Sequence, residues 1–256
     1  MNVNSKQIMV EGIATYYTES GQGSTLVFLH GWGANGESFA GVIRELSKDF
    51  QCITLDFPGF GQSGMPSKPW HVSDYKNFLL AFLESRSIQN ADFVCHSFGG
   101  RVMLKLAAEH PEKVNRLILT GCAGVERKYR WIRRKTLGKA AKAVKAMLSL
   151  FGRYGEKTKE KLAGHIGNED YALAGELKQT YIHVINEDLL PYARRVKLKT
   201  FLIWGEGDTE TPLQDGRILK DALRVGELVV IPNAGHYAFL DDPQKFIMYV
   251  RKFLEL

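Results

Sequence analysis

The chain has 256 residues, of which 45% are hydrophobic and 24% are charged. This length suits one large α/β domain and is short for two independent domains. Because no stretch reaches about 18 consecutive apolar residues, we expect a globular protein without a stable membrane insertion. The first ten residues lack the apolar segment of a secretory signal, so a cytoplasmic location is the expectation.

The sequence predicts no cofactor. Cys52, Cys95 and Cys122 are widely spaced and odd in number, which argues against a disulfide framework or a zinc site. The seven histidines show no H-E-x-x-H or comparable ligand spacing, so no metal site is predicted either. The pattern G-x-G-x-x-G at 59–64 contains a Pro-Gly turn and is not followed by a clear helix, which disfavours a dinucleotide site.

Strands and helices alternate along most of the chain. Two alternating runs, 7–10 and 13–18, are separated by Glu11-Gly12 and predict a β-hairpin. Short apolar runs typical of strands buried on both faces follow, with helical patterns between them. This order predicts a mainly parallel sheet with helices on both faces. The predicted strands are 25–29, 52–55, 92–95, 116–119, 200–204 and 227–231, and the predicted helices are 39–46, 75–83, 101–108, 213–223 and 243–254.

The alternation stops near Gly124 and resumes at Thr200. The intervening segment is helical, with an apolar stripe that runs from Leu137 to Phe151. We interpret residues 125–195 as an inserted helical cap, and residues 1–124 and 196–256 as the core domain.

Basic residues are concentrated in this cap. Residues 125–199 contain 18 Lys and Arg against 8 Asp and Glu, whereas the whole chain has 34 against 28. The densest run, RKYRWIRRK at 127–135, is either a solvated surface or a region that attracts anionic substrates or lipid. No nucleic-acid-binding fold accompanies the charge, so no nucleic-acid partner is expected. Trp131 and Ile132 lie off the apolar stripe and are candidates for lining a substrate pocket.

A serine stands where a predicted strand meets a predicted helix, in the sequence CHSFGG at 95–100. Small residues around a serine in such a sharp turn let its Oγ project at the carboxyl end of the sheet. Ser97 is therefore the candidate nucleophile. Cys95 replaces the usual first glycine of the G-x-S-x-G pattern, and because cysteine is small we expect the turn to be retained.

The loop HGWG at 30–33 follows the strand that ends at Leu29. Such a loop can direct a backbone N–H at the oxygen of a bound acyl group, and the amide after the nucleophile supplies a second donor. Trp32 and Phe98 are thus the predicted oxyanion-hole residues. Since they would act through the main chain, their side chains are also candidate walls of the acyl pocket.

Two further loops follow predicted strands at the same edge of the sheet, where open α/β sheets place their sites. The first carries the carboxylates Glu206 and Asp208, with Pro212 after them. The second, NAGH at 233–236, ends in His236. A carboxylate from one loop and the histidine from the other complete the residue types of a serine triad.

Together these motifs resemble the serine-nucleophile branch of the α/β-hydrolase fold family over essentially the whole chain. The loop DFPGFGQSG at 56–64 resembles the D-x-P-G-x-G-x-S loop of its esterase and C–C bond hydrolase members. The family fold implies a mainly parallel eight-stranded sheet flanked by helices, with an inserted helical cap. In the family the acid stands four residues before a proline, which implies Asp208 rather than Glu206, and the chain order Ser97, Asp208, His236 is the family's order.

The resemblance implies a small-molecule acyl substrate and a triad in which Ser97 attacks, His236 is the general base and Asp208 orients it. We expect an esterase for small or medium acyl groups. A C–C bond hydrolase, a thioesterase or a related lyase remains open on the same triad. A small-molecule receptor with vestigial hydrolysis is the alternative from another class.

Overall fold

The computed structural model describes residues 4–125, 174–224 and 226–255. Its centre is one eight-stranded sheet with the strand order β1-β2-β4-β3-β5-β6-β7-β8. The strands are β1 (Asn4–Val10), β2 (Ile13–Ser20), β3 (Thr25–Leu29), β4 (Gln51–Leu55), β5 (Ala91–His96), β6 (Val114–Thr120), β7 (Thr200–Gly205) and β8 (Gly226–Ile231).

The sheet is antiparallel only at one edge. β1 and β2 form the predicted hairpin, whose turn residues Glu11 and Gly12 both have positive φ angles, and β2 runs antiparallel to β4. All the other pairs are parallel. The carboxyl ends of β3 to β8 therefore lie along the same edge, and the predicted α/β-hydrolase sheet is confirmed.

Helices cover both faces of this sheet. They are α1 (Ala40–Leu46), α2 (Val72–Ser85), α3 (Phe98–Glu109), α4 (Lys178–Asn186), α5 (Leu190–Ala193), α6 (Leu213–Ala222), α7 (Ala238–Asp241) and α8 (Pro243–Phe253). Within the described residues, each helix is too short or too polar to span a membrane.

The continuous apolar runs of the central strands arise because both faces of the sheet are buried. In β3, Val27 and Leu29 pack in a cluster with α2 and α3, whereas Leu26 and Phe28 pack in a second cluster with α1 and α8. Successive side chains of a strand point to opposite faces, so every position of such a strand must be apolar.

The predicted strands and helices are all present, with shifted ends. α2 begins at Val72 rather than at residue 75, because His71 and Asp74 form a reciprocal capping arrangement there. α3 begins at Phe98 rather than at residue 101, because the helix starts directly after the serine turn despite two glycines in its first turn.

Much of the predicted cap, including Trp131, Ile132 and the basic run at 127–135, lies outside the described residues. Its last part is described and is attached to the core by several hydrogen bonds. The amide of Trp70 donates to Thr180 Oγ1 at 3.0 Å, Arg101 donates to the carbonyl of Val184 at 2.7 Å, and the amide of Leu189 donates to the carbonyl of Gly124 at 2.9 Å. α4 is thereby held against the carboxyl edge of the sheet.

Candidate active site

Ser97 occupies a strained turn between β5 and α3. Its φ of 47° and ψ of −106° lie in a region that costs a residue with a side chain about 1–3 kcal/mol. Neighbouring backbone holds the turn, because Ser97 N donates to Thr120 O at 3.1 Å and Ala123 N donates to Ser97 O at 3.3 Å. Cys95 fits before the turn with its side chain fully buried. The serine is thus presented at the carboxyl edge of the sheet.

The loop after β3 lies directly against this turn. A Cβ atom on Gly31 would be 2.7 Å from Nδ1 of His96 and 3.4 Å from Cβ of Ser97, so only glycine permits this approach. Trp32 follows in the loop, and among the hydrogen bonds of the described residues the amides of Trp32 and Phe98 have no acceptor. Both N–H groups are therefore available to an external acceptor.

The side chains of the two predicted donors differ in exposure. The Phe98 ring is 2% exposed and packs edge-on against Tyr75, with ring centroids 4.9 Å apart. The Trp32 ring is partly exposed and contacts Phe60 and Tyr181 at centroid distances of 4.9 and 5.1 Å. Of the two predicted pocket walls, only Trp32 has a partly exposed ring, while the Phe98 ring packs within the core.

Two buried polar residues fix the loops beneath the serine. His30 accepts a hydrogen bond from Phe57 N at Nε2 (3.0 Å), and its Nδ1 lies 2.7 Å from the carbonyl of Gly31, to which it donates. Burial lowers the pKa of His30, so the ring is neutral and takes this tautomer. Asp56 accepts from the amides of Gly36 and Gln62. The DFPGFGQSG loop is thus structural.

Asp208 and His236 are joined in a buried pair at the ends of β7 and β8. Nδ1 of His236 lies 2.9 Å from Oδ2 of Asp208. The other carboxylate oxygen, Oδ1, accepts the backbone amides of Glu210 and Thr211 at 2.9 and 2.8 Å. Glu206, the alternative acid, instead accepts the amide of Asn233 at 3.4 Å. Of the two candidate acids, Asp208 is therefore the one whose carboxylate meets Nδ1 of His236.

Gly121 forms the floor beneath His236. A Cβ atom at this position would lie 3.0 Å from Nδ1 of His236 and 3.1 Å from its carbonyl oxygen. The φ of Gly121 is +50°, which also favours glycine. The imidazole therefore packs directly on the backbone that follows β6.

His96 connects the serine turn to the histidine loop. Its Nε2 lies 3.1 Å from the carbonyl oxygen of His236, and the two rings are 4.6 Å apart. Burial and the nearby His236 hold the pKa of His96 well below its usual range, so His96 is neutral and Nε2 donates to that carbonyl. The residue next to the nucleophile thus positions the backbone of the candidate base.

Ser97 and the Asp208–His236 pair therefore lie at the same edge of the sheet. Among the hydrogen bonds of the described residues, none joins Ser97 Oγ to the His236 imidazole. Catalytic hydrogen bonds are often long or poorly aligned before substrate binds. The described residues contain no group of three or more His, Cys, Asp or Glu arranged to hold a metal ion.

Three residues that support this site were not identified from the sequence: His96, Gly121 and Thr211. Thr211 was detectable in part, since it lies between the acid and Pro212, and its hydroxyl is 2.8 Å from Oδ2 of Asp208. Gly121 and His96 act through contacts with a loop more than 100 residues away, and no local pattern reports such contacts.

A family model described as alpha/beta hydrolase fold matches residues 24–243. The chain belongs to the α/β-hydrolase fold family. This α/β hydrolase is 32% identical over 257 residues to a pimeloyl-[acyl-carrier protein] methyl ester esterase of Chromobacterium violaceum, covering 92% of this chain and 96% of that one. It is 38% identical over 124 residues to a 2-hydroxymuconate semialdehyde hydrolase of Pseudomonas sp. (strain CF600), covering 47% of this chain and 44% of that one.

Solved structures extend the likeness of the fold to nearly the whole hydrolase. A serine hydrolase involved in carbazole degradation (CarC enzyme) superposes with a TM-score of 0.76 at 22% identity, covering 99% of both chains. At this identity the similarity concerns the fold. The relatives with higher identity include one named a methyl ester esterase and one named a 2-hydroxymuconate semialdehyde hydrolase.

Proposed function

We propose that this α/β hydrolase is a serine esterase that cleaves carboxylic esters of small or medium acyl groups through an acyl-enzyme intermediate. The observation that carries the proposal is the buried Asp208–His236 pair, 2.9 Å apart, beside a serine in a strained turn with two amides available to an oxyanion. The name of the relative from C. violaceum, a methyl ester esterase, supports ester chemistry over its alternatives.

In the proposed mechanism, Ser97 Oγ attacks the ester carbonyl while its proton moves to Nε2 of His236. The negative charge that develops on the carbonyl oxygen is stabilised by the amides of Trp32 and Phe98. Collapse of the tetrahedral intermediate breaks the bond to the alcohol oxygen, and His236 returns the proton to that leaving group. Water then attacks the acyl-enzyme with His236 again accepting the proton, which releases the carboxylic acid and restores Ser97.

Asp208 holds the imidazole in the tautomer that this sequence of steps needs. Nδ1 lies 2.9 Å from the buried carboxylate oxygen Oδ2 of Asp208 and 3.2 Å from Oγ1 of Thr211, whereas the exposed Glu210 carboxylate lies 3.4 Å from Nε2. The proton of neutral His236 therefore resides on Nδ1, and Nε2 keeps the lone pair that accepts the serine proton.

A C–C bond hydrolase is the second candidate, because the relative from Pseudomonas carries that kind of substrate in its name and shares 38% identity over 124 residues. The same serine and histidine would serve, but the bond cleaved would join two carbons. The two reactions differ in the leaving group, which is an alcohol in one case and a stabilised carbanion in the other.

A fluorophosphonate probe tests the nucleophile, and a substrate panel tests the reaction. We expect the probe to label Ser97, and Ser97→Ala to abolish labelling while the thermal unfolding midpoint stays close to that of the wild type. We also expect p-nitrophenyl esters to turn over faster than thioesters or vinylogous diketones. Labelling at another residue would refute the triad, and preferred cleavage of diketones would favour the second candidate. A ligand that stabilises the protein without being consumed would indicate a receptor.

A further inference from the structure

The hydroxyl of Thr211 lies among three groups of the candidate active site. Its Oγ1 is 2.8 Å from Oδ2 of Asp208, 3.2 Å from Nδ1 of His236 and 3.0 Å from the carbonyl oxygen of Gly121. The residue is 7% exposed, so water competes little for these contacts. One side chain therefore reaches the acid, the base and the floor beneath the base.

The backbone of Thr211 is fixed independently of its side chain. Its amide donates to Oδ1 of Asp208 at 2.8 Å, and its carbonyl accepts the indole N–H of Trp204 at 2.7 Å. Trp204 is itself fully buried in β7. Because two main-chain hydrogen bonds already hold residue 211, its hydroxyl has a defined position even before its own contacts are counted.

The Thr211 hydroxyl has one proton and two possible acceptors, which are Oδ2 of Asp208 and the carbonyl oxygen of Gly121. Asp208 Oδ2 is both the nearer and the charged one, and hydrogen bonds to a charged group are about twice as strong as neutral ones. Donation to Oδ2 would give each carboxylate oxygen two hydrogen bonds. Oδ1 would accept two backbone amides, and Oδ2 would accept the threonine hydroxyl and the histidine Nδ1–H.

We propose that Thr211 is a positioning residue, whose hydroxyl donates to Oδ2 of Asp208 and fixes the orientation in which that oxygen meets His236. This inference rests on the proposed serine hydrolase mechanism. Without the hydroxyl, the carboxylate keeps its two amide donors on Oδ1 but can rotate about that side, and the imidazole is held less well for proton transfer from Ser97.

A purely structural role makes a different prediction. If the hydroxyl only links the loop to the carbonyl of Gly121, its loss lowers stability and leaves the chemistry of the remaining folded protein unchanged. Activity of folded enzyme and thermal stability must therefore be measured on the same variants. Thr211→Val removes the hydroxyl with little change of shape, and Thr211→Ser retains the hydroxyl while removing a methyl group.

For turnover of a p-nitrophenyl ester, we expect Thr211→Val to lower kcat by about tenfold, equivalent to about 1.4 kcal/mol, with KM changed less than about twofold. The rate of fluorophosphonate labelling at Ser97 should fall by a similar factor. Thr211→Ser should retain kcat within about threefold of the wild type, since one methyl group is lost but the hydrogen bond remains. Wild-type kcat in Thr211→Val, or equal losses in both variants, would overturn the proposal.

Proton NMR of His236 gives a readout that does not depend on turnover. The Nδ1 proton, bonded to Asp208, should give a downfield imidazole signal in the wild type and in Thr211→Ser, and this signal should broaden through exchange with water in Thr211→Val. An unchanged signal in Thr211→Val would refute the positioning role. If the wild type shows the signal but is not labelled at Ser97, the proposed function is refuted. The comparison of the signal between the variants then still tests the contact between Thr211 and Asp208.

Discussion

Nε2 of His236 lies 3.4 Å from a carboxylate oxygen of Glu210, on the side of the ring opposite Asp208. The Glu210 side chain is 57% exposed, so solvent weakens its electrostatic effect without removing it. In the proposed mechanism this nitrogen exchanges a proton with Ser97 and with the leaving group, so a substrate with a carboxylate close to its ester group would meet a negative charge there.

Glu210→Gln should therefore favour anionic substrates. We expect kcat/KM for a carboxylate-bearing ester to rise relative to that for a neutral ester of similar size, by roughly fivefold at most. The gain should disappear in 1 M salt, where the screening length is about 3 Å. Glu206→Gln is the matched control, since that carboxylate faces Asn233. A ratio that does not respond to Glu210→Gln would show that the carboxylate lies outside the path of the substrate.

The identity of the acid can be tested with two isosteric substitutions. Asp208→Asn should lower kcat by about 10³ to 10⁴, because an amide cannot hold the required histidine tautomer. Glu206→Gln should leave kcat nearly unchanged, since the Glu206 carboxylate accepts the amide of Asn233. Steady-state turnover of a p-nitrophenyl ester measures both. The opposite ranking of the two variants would transfer the role of the acid to Glu206.

Gly121→Ala should damage catalysis beyond its effect on stability. A Cβ atom there meets Nδ1 of His236 at 3.0 Å, so the imidazole must move, and we expect kcat to fall by about tenfold or more. A positive φ costs alanine about 1–2 kcal/mol, which lowers the unfolding midpoint by roughly 2 to 8 °C. Gly175→Ala is the control, because its φ is also +50° but no atom lies within 4 Å of the added carbon. Loss of kcat in both variants would argue against the contact with His236.

The three cysteine thiols should not react with thiol reagents in the folded protein. Burial raises the pKa of Cys52 and Cys122 from 9.0 to about 12, and it raises that of Cys95 well above its usual value. A disulfide reagent at pH 8 should therefore modify no cysteine before unfolding and three cysteines after it. Fast modification of the native protein would contradict this burial.

The raised pKa values of the same thiols predict how the free energy of unfolding depends on pH above about pH 9. Their folded pKa values are raised, so the folded state retains protons that the unfolded state releases above about pH 9. The contribution of the thiols to the free energy of unfolding is therefore fully present below pH 9 and is lost as pH rises from 9 towards 12. When the free energy of unfolding is measured with urea at several pH values, replacing Cys52 with serine should make its decrease between pH 9 and pH 12 shallower.

The features that the sequence predicts best are those for which one short segment contains the complete motif. Ser97 is such a case, because an apolar strand, a turn of small residues and a helix are contiguous around it. Strand positions followed from apolar runs, but their ends shifted by up to three residues because hydrogen-bonded pairing extends past the apolar side chains. Val114–Thr120, for example, begins two residues before the predicted strand and ends one after it.

Positions that depend on distant contacts were not predictable in this way. In the sequence, His96 and Gly121 are ordinary residues at or just after the end of a strand. They contribute to the site because His236 lies against both of them in the folded structure. The Phe98 ring, predicted to form a pocket wall, is buried because aromatic rings from the loops after β3 and β4 and from α2 surround it. Periodicity identifies an apolar face, but it does not identify which neighbours will cover it.

The hydrogen bond from His96 to the carbonyl of His236 joins residues 140 positions apart in the chain. A growing polypeptide therefore carries a complete serine turn long before its partner has been synthesised. β8 must first pair with β7 and bring its following loop back across the sheet. We therefore expect the proposed reactivity of Ser97 to appear late in folding. During refolding from denaturant, labelling of Ser97 by a fluorophosphonate should recover no earlier than the pairing of β8 with β7.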